Sequence, residues 1–288
     1  MAAQDKSYIT VALSGVAANR TQCPYIPYTP EEYAAEAKRA FDEGCTMVHI
    51  HAREPDGIPT HRVGAYKDIR DAILSRCPEM LINFSTGSVG IPVEERIAHI
   101  RELKPDIGAL NMGSMNYAKY SEKRKAMVFD VVFQNPFSDI TKFLTTMNEV
   151  GVRPEMECFD SGHIGNCFPL IDMGILTPHY HFSLIHGVLG GAPPTARSLA
   201  YLSSILPDDS DWEVIGVSHE QWGLVTAAVA LGGNVRVGFE DNFYLPSGEM
   251  ARSNGELAAQ AAQIIRNGGR EVATPAEARA ILGLPARG

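Results

Sequence analysis

The sequence predicts an α/β fold of the (β/α)8 TIM barrel type, and three observations support that prediction. Short β-rich runs alternate with amphipathic segments of helical length about eight times over roughly 250 residues, which is the pattern of this barrel. The first run is followed by Ser14-Gly15-Val16-Ala17, and this is not the G-x-G-x-x-G turn that an open dinucleotide-binding sheet often carries. No long Gly/Ser linker or low-complexity tract divides the chain, so we expect one barrel domain over residues 1–288 with a short C-terminal helical extension.

The individual elements follow from residue patterns taken in chain order. Alternation of Ile9, Val11 and Leu13 predicts the first strand, and Thr29 before Pro30 predicts the start of the first helix. The apolar run 127–133 fits no place in the alternation. The predicted strands are 8–14, 46–52, 80–85, 107–112, 153–160, 179–185, 212–217 and 235–240, and the predicted helices are 30–43, 64–76, 92–103, 136–150, 194–206, 220–231, 255–266 and 275–282.

Composition excludes several classes of partner. The formal net charge is -9, and no Lys/Arg cluster stands out, so neither nucleic acid nor an anionic membrane is an expected partner. The polar N-terminus lacks a signal-peptide pattern, and the longest apolar run, 222–231, is too short to cross a bilayer. Five cysteines without a C-x-x-C pair indicate reduced thiols and a cytoplasmic protein, not a disulfide framework or a Cys-rich zinc site.

A pair of histidines on the second predicted strand is the strongest functional signal. His49 and His51 are two residues apart, so their side chains point to the same face of the strand. They also lie at its C-terminal end, where parallel α/β folds place their chemistry. Two imidazoles on one face can hold one metal ion, and the simpler interpretation is a pair of structural histidines with satisfied hydrogen bonds.

The eighth predicted strand supplies a third metal ligand. Val235, Val237 and Phe239 form an apolar face, so Arg236 and Glu240 should point into the barrel, with Asp241 at the rim. A closed barrel places the eighth strand next to the first, and Glu240 could then reach an ion held by the second strand. Two histidines and one carboxylate with open positions are typical of catalytic zinc. Non-haem iron uses the same three ligands, so the metal is inferred from ligand type.

Other histidines compete with this interpretation. His179 and His181 repeat the spacing, but they follow Pro178 and open the sixth strand, at the end of a barrel that serves stability. His186, at the far end of the same strand, could line the pocket. Further polar residues gather where strands end, and they are Ser85, Asn111, Ser114 and Glu157.

Four segments of the chain resemble the signature blocks of the β-keto acid cleavage enzymes. They are Met47-Val48-His49-Ile50-His51-Ala52-Arg53, Phe84-Ser85-Thr86-Gly87, Asn111-Met112-Gly113-Ser114-Met115-Asn116 and Gly232-Gly233-Asn234-Val235-Arg236-Val237-Gly238-Phe239-Glu240-Asp241-Asn242. The resemblance extends over about residues 8–284. It implies a TIM barrel, usually a homotetramer, with one Zn2+ in each active site.

The same resemblance implies a reaction and a role for each residue. A β-keto acid and acetyl-CoA, the co-substrate, would give acetoacetate and a new acyl-CoA through an enolate, a CoA transfer and a retro-Claisen step. Carried over by position, His49, His51 and Glu240 would ligate zinc, and Arg236 with Asp241 would remove a proton from C2 of the keto acid. Ser85 and Ser114 would hold the substrate, with Glu157 beside it.

One departure concerns the substrate. The type member of the family acts on 3-keto-5-aminohexanoate and uses a glutamate after the first strand for the amino group, whereas residues 15–20 contain no carboxylate here. We therefore expect a neutral or anionic substrate side chain, the latter held by Arg20; a quaternary ammonium group on Tyr25 or Tyr28 is the alternative. Two other functions stay open, namely a zinc hydrolase on the same barrel acting without acetyl-CoA and a non-catalytic binding protein.

Overall fold

Eight parallel strands close into a barrel in a computed structural model that describes residues 5–286. The predicted (β/α)8 fold is confirmed, because a helix or helical segment follows each strand around the outside. The barrel strands are β1 Ile9–Ala12, β2 Met47–Ile50, β3 Leu81–Ser85, β4 Ile107–Asn111, β5 Arg153–Cys158, β6 Tyr180–His186, β7 Ser210–Gly216 and β8 Asn234–Val237.

Closure occurs where β8 pairs with β1. Arg236 of β8 is aligned with Thr10 of β1, and Ala12 of β1 is aligned with His49 of β2. The C-terminal ends of β8, β1 and β2 therefore meet at one sector of the rim. The eighth strand ends at Val237 instead of Glu240, so the prediction of its length was wrong.

The helices that follow the barrel strands pack their apolar sides against the outer face of the barrel. Thr29 caps the first helix as predicted and forms a capping box with Glu32. Two short helices after β5 were not predicted, because neither is long enough to show helical periodicity. The helices are α1 Pro30–Asp42, α2 Val63–Arg76, α3 Val93–Leu103, α4 Phe137–Val150, α5 Ser161–Gly165, α6 Cys167–Asp172, α7 Ala196–Ser204, α8 Gln221–Ala230, α9 Asn254–Asn267 and α10 Pro275–Ile281.

The unassigned apolar run belongs to an antiparallel hairpin between β4 and α4. Its strands are Met115–Ser121 and Ala126–Phe133, and the second one is solvent-exposed along most of its length. The hairpin lies outside the barrel. Its base packs on the C-terminal rim through Met115 and Phe133, which form one apolar cluster with Phe159, Ile185 and Ile215.

The C-terminal segment covers the opposite end of the barrel. Residues of α10 and its flanks pack against the first residues of the strands, in a cluster that contains Tyr8, Met47, Leu81, Ile107, Ala273, Ala278 and Leu282. A short parallel pair, Lys6–Ser7 with Glu271–Val272, joins the two ends of the chain. No helix within residues 5–286 combines the length and the hydrophobicity needed to cross a membrane.

Candidate active site

His49 and His51 lie side by side at the C-terminal end of β2. Their ring centroids are 5.3 Å apart, and both side chains are buried. Burial lowers the pKa of His49 to about 3, since the protonated ring would have to lose its hydration. The ring is therefore neutral at physiological pH, which is the form that ligates metals.

Glu240 reaches the histidines because the chain turns immediately after β8. Gly238 has φ +135°, and a Cβ at this position would lie 2.2 Å from the carbonyl oxygen of Ala12. Only glycine allows this close approach. The turn lets the backbone N–H of Glu240 donate to the Ala12 carbonyl at 3.1 Å, and it directs the carboxylate toward β2. The alternation of side chains along the predicted eighth strand had placed Glu240 inside the barrel. The side chain does point inward, although β8 itself ends at Val237.

The three predicted metal ligands come together. Glu240 Oε1 lies 3.8 Å from Nε2 of His49 and 3.6 Å from Nε2 of His51, and one ligand atom from each residue lies within 4.8 Å of the other two. Three buried atoms of this set have no hydrogen-bond partner within residues 5–286. They are the two ring nitrogens of His49 and Oε2 of Glu240. A metal ion would satisfy these atoms, so the donor set fits zinc.

Arg236 connects this set to Asp241. Its guanidinium donates to both carboxylate oxygens of Asp241, at 3.0 and 3.1 Å, and to Glu240 at 2.7 Å. Oε1 of Glu157 lies 3.6 Å from the third guanidinium nitrogen, Nη1. Arg236 is thus a buried cation surrounded by three carboxylates, and it fixes the orientation of Asp241 next to the predicted metal ligands.

The carboxyl groups around Arg236 have pKa values shifted in different directions. Burial raises the pKa of Asp241 to about 6, against the opposing effect of Arg236. Burial and the charge of Glu155 raise the pKa of Glu157 well above its ordinary range. Burial acts in the same direction on Glu240, but Arg236 and the two histidines hold its pKa well below the ordinary value. Glu240 therefore stays anionic, as a metal ligand would require, while Asp241 can gain and lose a proton near neutral pH.

The two serines occupy different surroundings. Ser85, at the end of β3, is buried, and its Oγ accepts a hydrogen bond from the Gly87 N–H at 3.1 Å. Ser114 is exposed, and its Oγ accepts from the Asn135 N–H at 2.8 Å. No hydrogen bond joins Ser114 to the other predicted site residues in the described part of the chain. It belongs to the base of the hairpin.

Two residues that shape the rim were not predicted. Arg53 donates to carbonyl groups of the loop after β1, including Gly15 at 2.7 Å and Ala18 at 2.7 Å. The Tyr33 hydroxyl donates to the His51 carbonyl at 2.7 Å. Arg53 follows His49 and His51 at the same two-residue spacing, so the sequence pattern could have predicted its position. Tyr33 lies on the buried face of α1, and no sequence pattern predicted its contact with the site.

The two histidines of the second pair, His179 and His181, lie in different surroundings. His179 precedes β6 with φ +63° and contacts the exposed Asp209. His181 is buried at the start of β6 and pairs with Asp211 at 2.9 Å, at the end of the barrel that the sequence predicted for it. His186 is buried at the other end of the strand, where Nδ1 lies 3.1 Å from the Leu184 carbonyl oxygen.

Comparisons with known proteins agree on the family resemblance. The family model described as beta-keto acid cleavage enzyme matches residues 6–284. The 3-keto-5-aminohexanoate cleavage enzyme of Acetoanaerobium sticklandii is 38% identical over 97% of this chain and 99% of its own. The 3,5-dioxohexanoate:acetyl-CoA acetone transferase of Paraburkholderia graminis is 33% identical over 99% of this chain and 97% of its own. The apo structure of ObcA shares the fold, with a TM-score of 0.74 at 20% identity over 91% of this chain and 66% of its own.

Proposed function

The chain belongs to the β-keto acid cleavage enzyme family, and on that basis we propose that it converts a β-keto acid and acetyl-CoA into acetoacetate and a new acyl-CoA. The observation that carries this proposal is the set of His49, His51 and Glu240, two buried side chains and one partly buried, next to the Arg236–Asp241 pair. This arrangement combines a metal-ligand set with an oriented carboxylate base. The acetyl-CoA named in the 33% identical relative supports the choice of co-substrate.

We propose that His49, His51 and Glu240 hold one zinc ion. Their neutral imidazoles and anionic carboxylate are the donor set of a catalytic zinc site with open positions. When bound there, zinc would act as a Lewis acid on the keto oxygen and carboxylate of the substrate and lower the energy of the enolate.

Asp241 acts as the general base in this scheme. It takes the proton from C2 of the β-keto acid, and the resulting enolate carbon attacks the thioester carbonyl of acetyl-CoA, which forms a new C–C bond and releases the CoA thiolate. The thiolate then adds to the original keto carbon. Cleavage of the bond between that carbon and C2 gives the new acyl-CoA, and the proton held by Asp241 returns to C2 to complete acetoacetate.

Arg236 has two functions in the same scheme. Its two hydrogen bonds hold the Asp241 carboxylate in one orientation, and its permanent charge stabilises negative charge that develops near the base. Ser85 and Ser114 are proposed to bind the substrate. Because Ser114 lies at the base of the hairpin, this role assigns the hairpin to the wall of the substrate site, with Glu157 beside the reacting groups.

The loop after β1 supports a substrate with an uncharged side chain. Arg20 is already paired, since its guanidinium donates to Glu32 at 2.5 Å and to the Ile26 carbonyl at 3.0 Å. The Tyr28 ring is covered by Arg20 at 4.1 Å and Arg53 at 5.3 Å. Arg20 therefore offers no unpaired cation for an anionic side chain, and the covered Tyr28 offers no open face for a quaternary ammonium group. Tyr25, by contrast, is exposed, so the quaternary ammonium alternative stays open at that residue.

The exposed surface of the hairpin and the state of the cysteines support proposals on the oligomeric state and the cellular location of the protein. The hairpin exposes several large apolar side chains, namely Tyr120, Met127, Val128, Phe129, Val131 and Val132, and such a patch is typical of an interface. We propose that copies of the chain assemble through it into a homotetramer. The five cysteines are all free and buried, which supports a location in the reducing cytoplasm.

The proposal is tested with a panel of β-keto acids that differ in side-chain charge. Each compound is incubated with the purified protein, with and without acetyl-CoA, and acetoacetate is measured. We expect acetoacetate only in the presence of both substrates, with neutral side chains turned over fastest. Protein-dependent consumption of a β-keto acid without acetyl-CoA, above the rate of its spontaneous decarboxylation, would indicate a hydrolase and would contradict the proposed reaction.

A further inference from the structure

The interior of the barrel contains a second group of charged side chains, closer to the N-terminal ends of the strands than the active site. Barrels of this fold are usually filled by branched apolar side chains. Here Glu155 of β5, His181 of β6 and Glu213 of β7 all point inward, and each is 0% exposed. Glu155 and His181 are aligned across neighbouring strands, so the three side chains belong to one region of the interior.

Neutral groups hold both carboxylates in place. Thr10 donates to Glu213 at 2.5 Å, and the Ser183 hydroxyl lies within hydrogen-bond distance of both Glu213 and Glu155. Asn83 donates to Glu155 as well. In the part of the chain that the structure describes, neither carboxylate forms an ion pair with a Lys, Arg or His side chain. Two buried carboxylates without a direct cationic partner are costly, and they favour the uptake of positive charge.

His181 has one nitrogen available for that charge. Its Nδ1 lies 2.9 Å from Asp211 Oδ1, and the Tyr8 hydroxyl donates to the same oxygen at 2.9 Å. Nε2 is buried and has no hydrogen-bond partner among residues 5–286. A carboxylate on one ring nitrogen, with the other nitrogen free, is the usual arrangement behind a metal-bound histidine.

The three side chains are close enough to share a ligand. One ring nitrogen of His181 and one oxygen each of Glu155 and Glu213 lie within 4.8 Å of one another, and Asp211 leaves Nε2 as the nitrogen that can ligate. Although burial lowers it, the carboxylates of Asp211 and Glu155 raise the pKa of His181 to about 9. The ring therefore holds a proton at neutral pH, and a cation bound at Nε2 would have to displace that proton.

We propose that Glu155, His181 and Glu213 form a second divalent-cation site. Its three ligands differ from the His49–His51–Glu240 set, although ligand atoms of Glu155 and His49 also lie within 4.8 Å of each other. One imidazole and two carboxylates are suitable ligands for Zn²⁺ or Mn²⁺. The site is closed to solvent and joins β5, β6 and β7, so its function is structural: the cation neutralises the buried carboxylates and cross-links three neighbouring strands.

The test uses Glu240→Ala, which removes a ligand of the active-site set and leaves the interior one intact. The protein is stripped with a chelator and titrated with Zn²⁺ or Mn²⁺ alone, and bound metal per chain and Tm are measured. We expect Glu240→Ala to bind one equivalent and to show a higher Tm with metal. Adding Glu213→Gln or, if that protein does not fold, His181→Gln should abolish both effects, whereas the exposed Glu122→Gln in the same background should leave them unchanged.

The proposal is overturned if Glu240→Ala binds neither metal and its Tm does not respond. It is also overturned if Glu240→Ala binds one equivalent whether or not Glu213 is present, since the metal would then lie elsewhere. A proton shared by His181 and the glutamates, in place of a cation, would give the first of these results. No step depends on turnover, so failure of the proposed reaction would leave this test unaffected.

Discussion

The Arg236 guanidinium donates to both carboxylate oxygens of Asp241, at 3.0 and 3.1 Å, with both side chains buried at the C-terminal rim of the barrel. The pair is adjacent to Glu240, which approaches His49 of β2 and His51 just after it. The proposed base and the proposed metal-ligand set are thus held together by consecutive residues, Glu240 and Asp241. Their different partners lead us to expect different consequences of mutation.

Substitution of these two neighbours should separate metal binding from turnover. Asp241→Asn retains the ligand set but removes the base, so we expect an unchanged metal content and a loss of acetoacetate formation of about 10²–10⁴-fold. Glu240→Ala should lose active-site metal and activity together. Metal analysis and steady-state kinetics of both variants provide the measurement, and a fully active Asp241→Asn would exclude this residue as the base.

Arg236→Lys tests whether orientation of the base matters beyond charge. Lysine keeps the positive charge but cannot donate through two nitrogens of a planar fork to the Asp241 carboxylate. We expect kcat to fall by about 100-fold through misplacement of the base, with active-site metal retained. Equal kcat values for the variant and the original enzyme would mean that charge alone suffices.

Cys158→Ala tests whether thiol chemistry contributes. Cys158 and Cys167 are fully buried, and burial raises the pKa of the Cys158 thiol well above its ordinary range, so no reactive thiolate forms. We expect a small decrease in stability, about 1 kcal/mol for the lost packing, and kcat unchanged. The same outcome is expected for Cys167→Ala; a large decrease in kcat for either variant would reveal a nucleophile absent from the proposed mechanism.

We expect the Glu277→Gln substitution, near the start of α10, to change stability in a pH-dependent way. A hydrogen bond from Lys6, followed by backbone capping at Thr274, lowers the pKa of Glu277 from 4.5 to about 2. A lowered pKa stabilises the fold above the unfolded-state value and loses that effect as pH falls through the folded-state value. Gln keeps the capping-box acceptor and removes the charge.

We therefore expect Glu277→Gln to be less stable at neutral pH, by about 1 kcal/mol or less because the pair is exposed. The difference from the unmodified protein should shrink between pH 4.5 and about 2. Denaturant unfolding at a series of pH values measures this, with Glu122→Gln as the control. A difference that stays constant over that range would exclude the ion pair as its source.

Much of the barrel and of the rim was predictable because strand parity is a local property. His49 and His51 share a face by spacing alone, and parity also brought Arg236 and Glu240 to the interior. The end of β8 was not predictable in the same way. It depends on the close contact of Gly238 with Ala12, two residues far apart in the chain.

Other features depend on tertiary contacts that the sequence pattern does not express. The second hairpin strand is exposed on nearly all residues, so its apolar run shows no alternation of buried and exposed positions. Glu213 lies within a mostly apolar run, and its significance arises only when β6 and β5 bring His181 and Glu155 beside it. The pairing of Arg20 with Glu32 likewise depends on how the loop after β1 folds onto α1.

The fate of the acetyl group tests the central claim most directly. Acetyl-CoA isotopically labelled at its carbonyl carbon is supplied with an unlabelled β-keto acid, and both products are examined by mass spectrometry and NMR. The proposed reaction predicts that the label appears at the keto carbon of acetoacetate, with the new acyl-CoA unlabelled. Label in free acetate, or unlabelled acetoacetate, would contradict it.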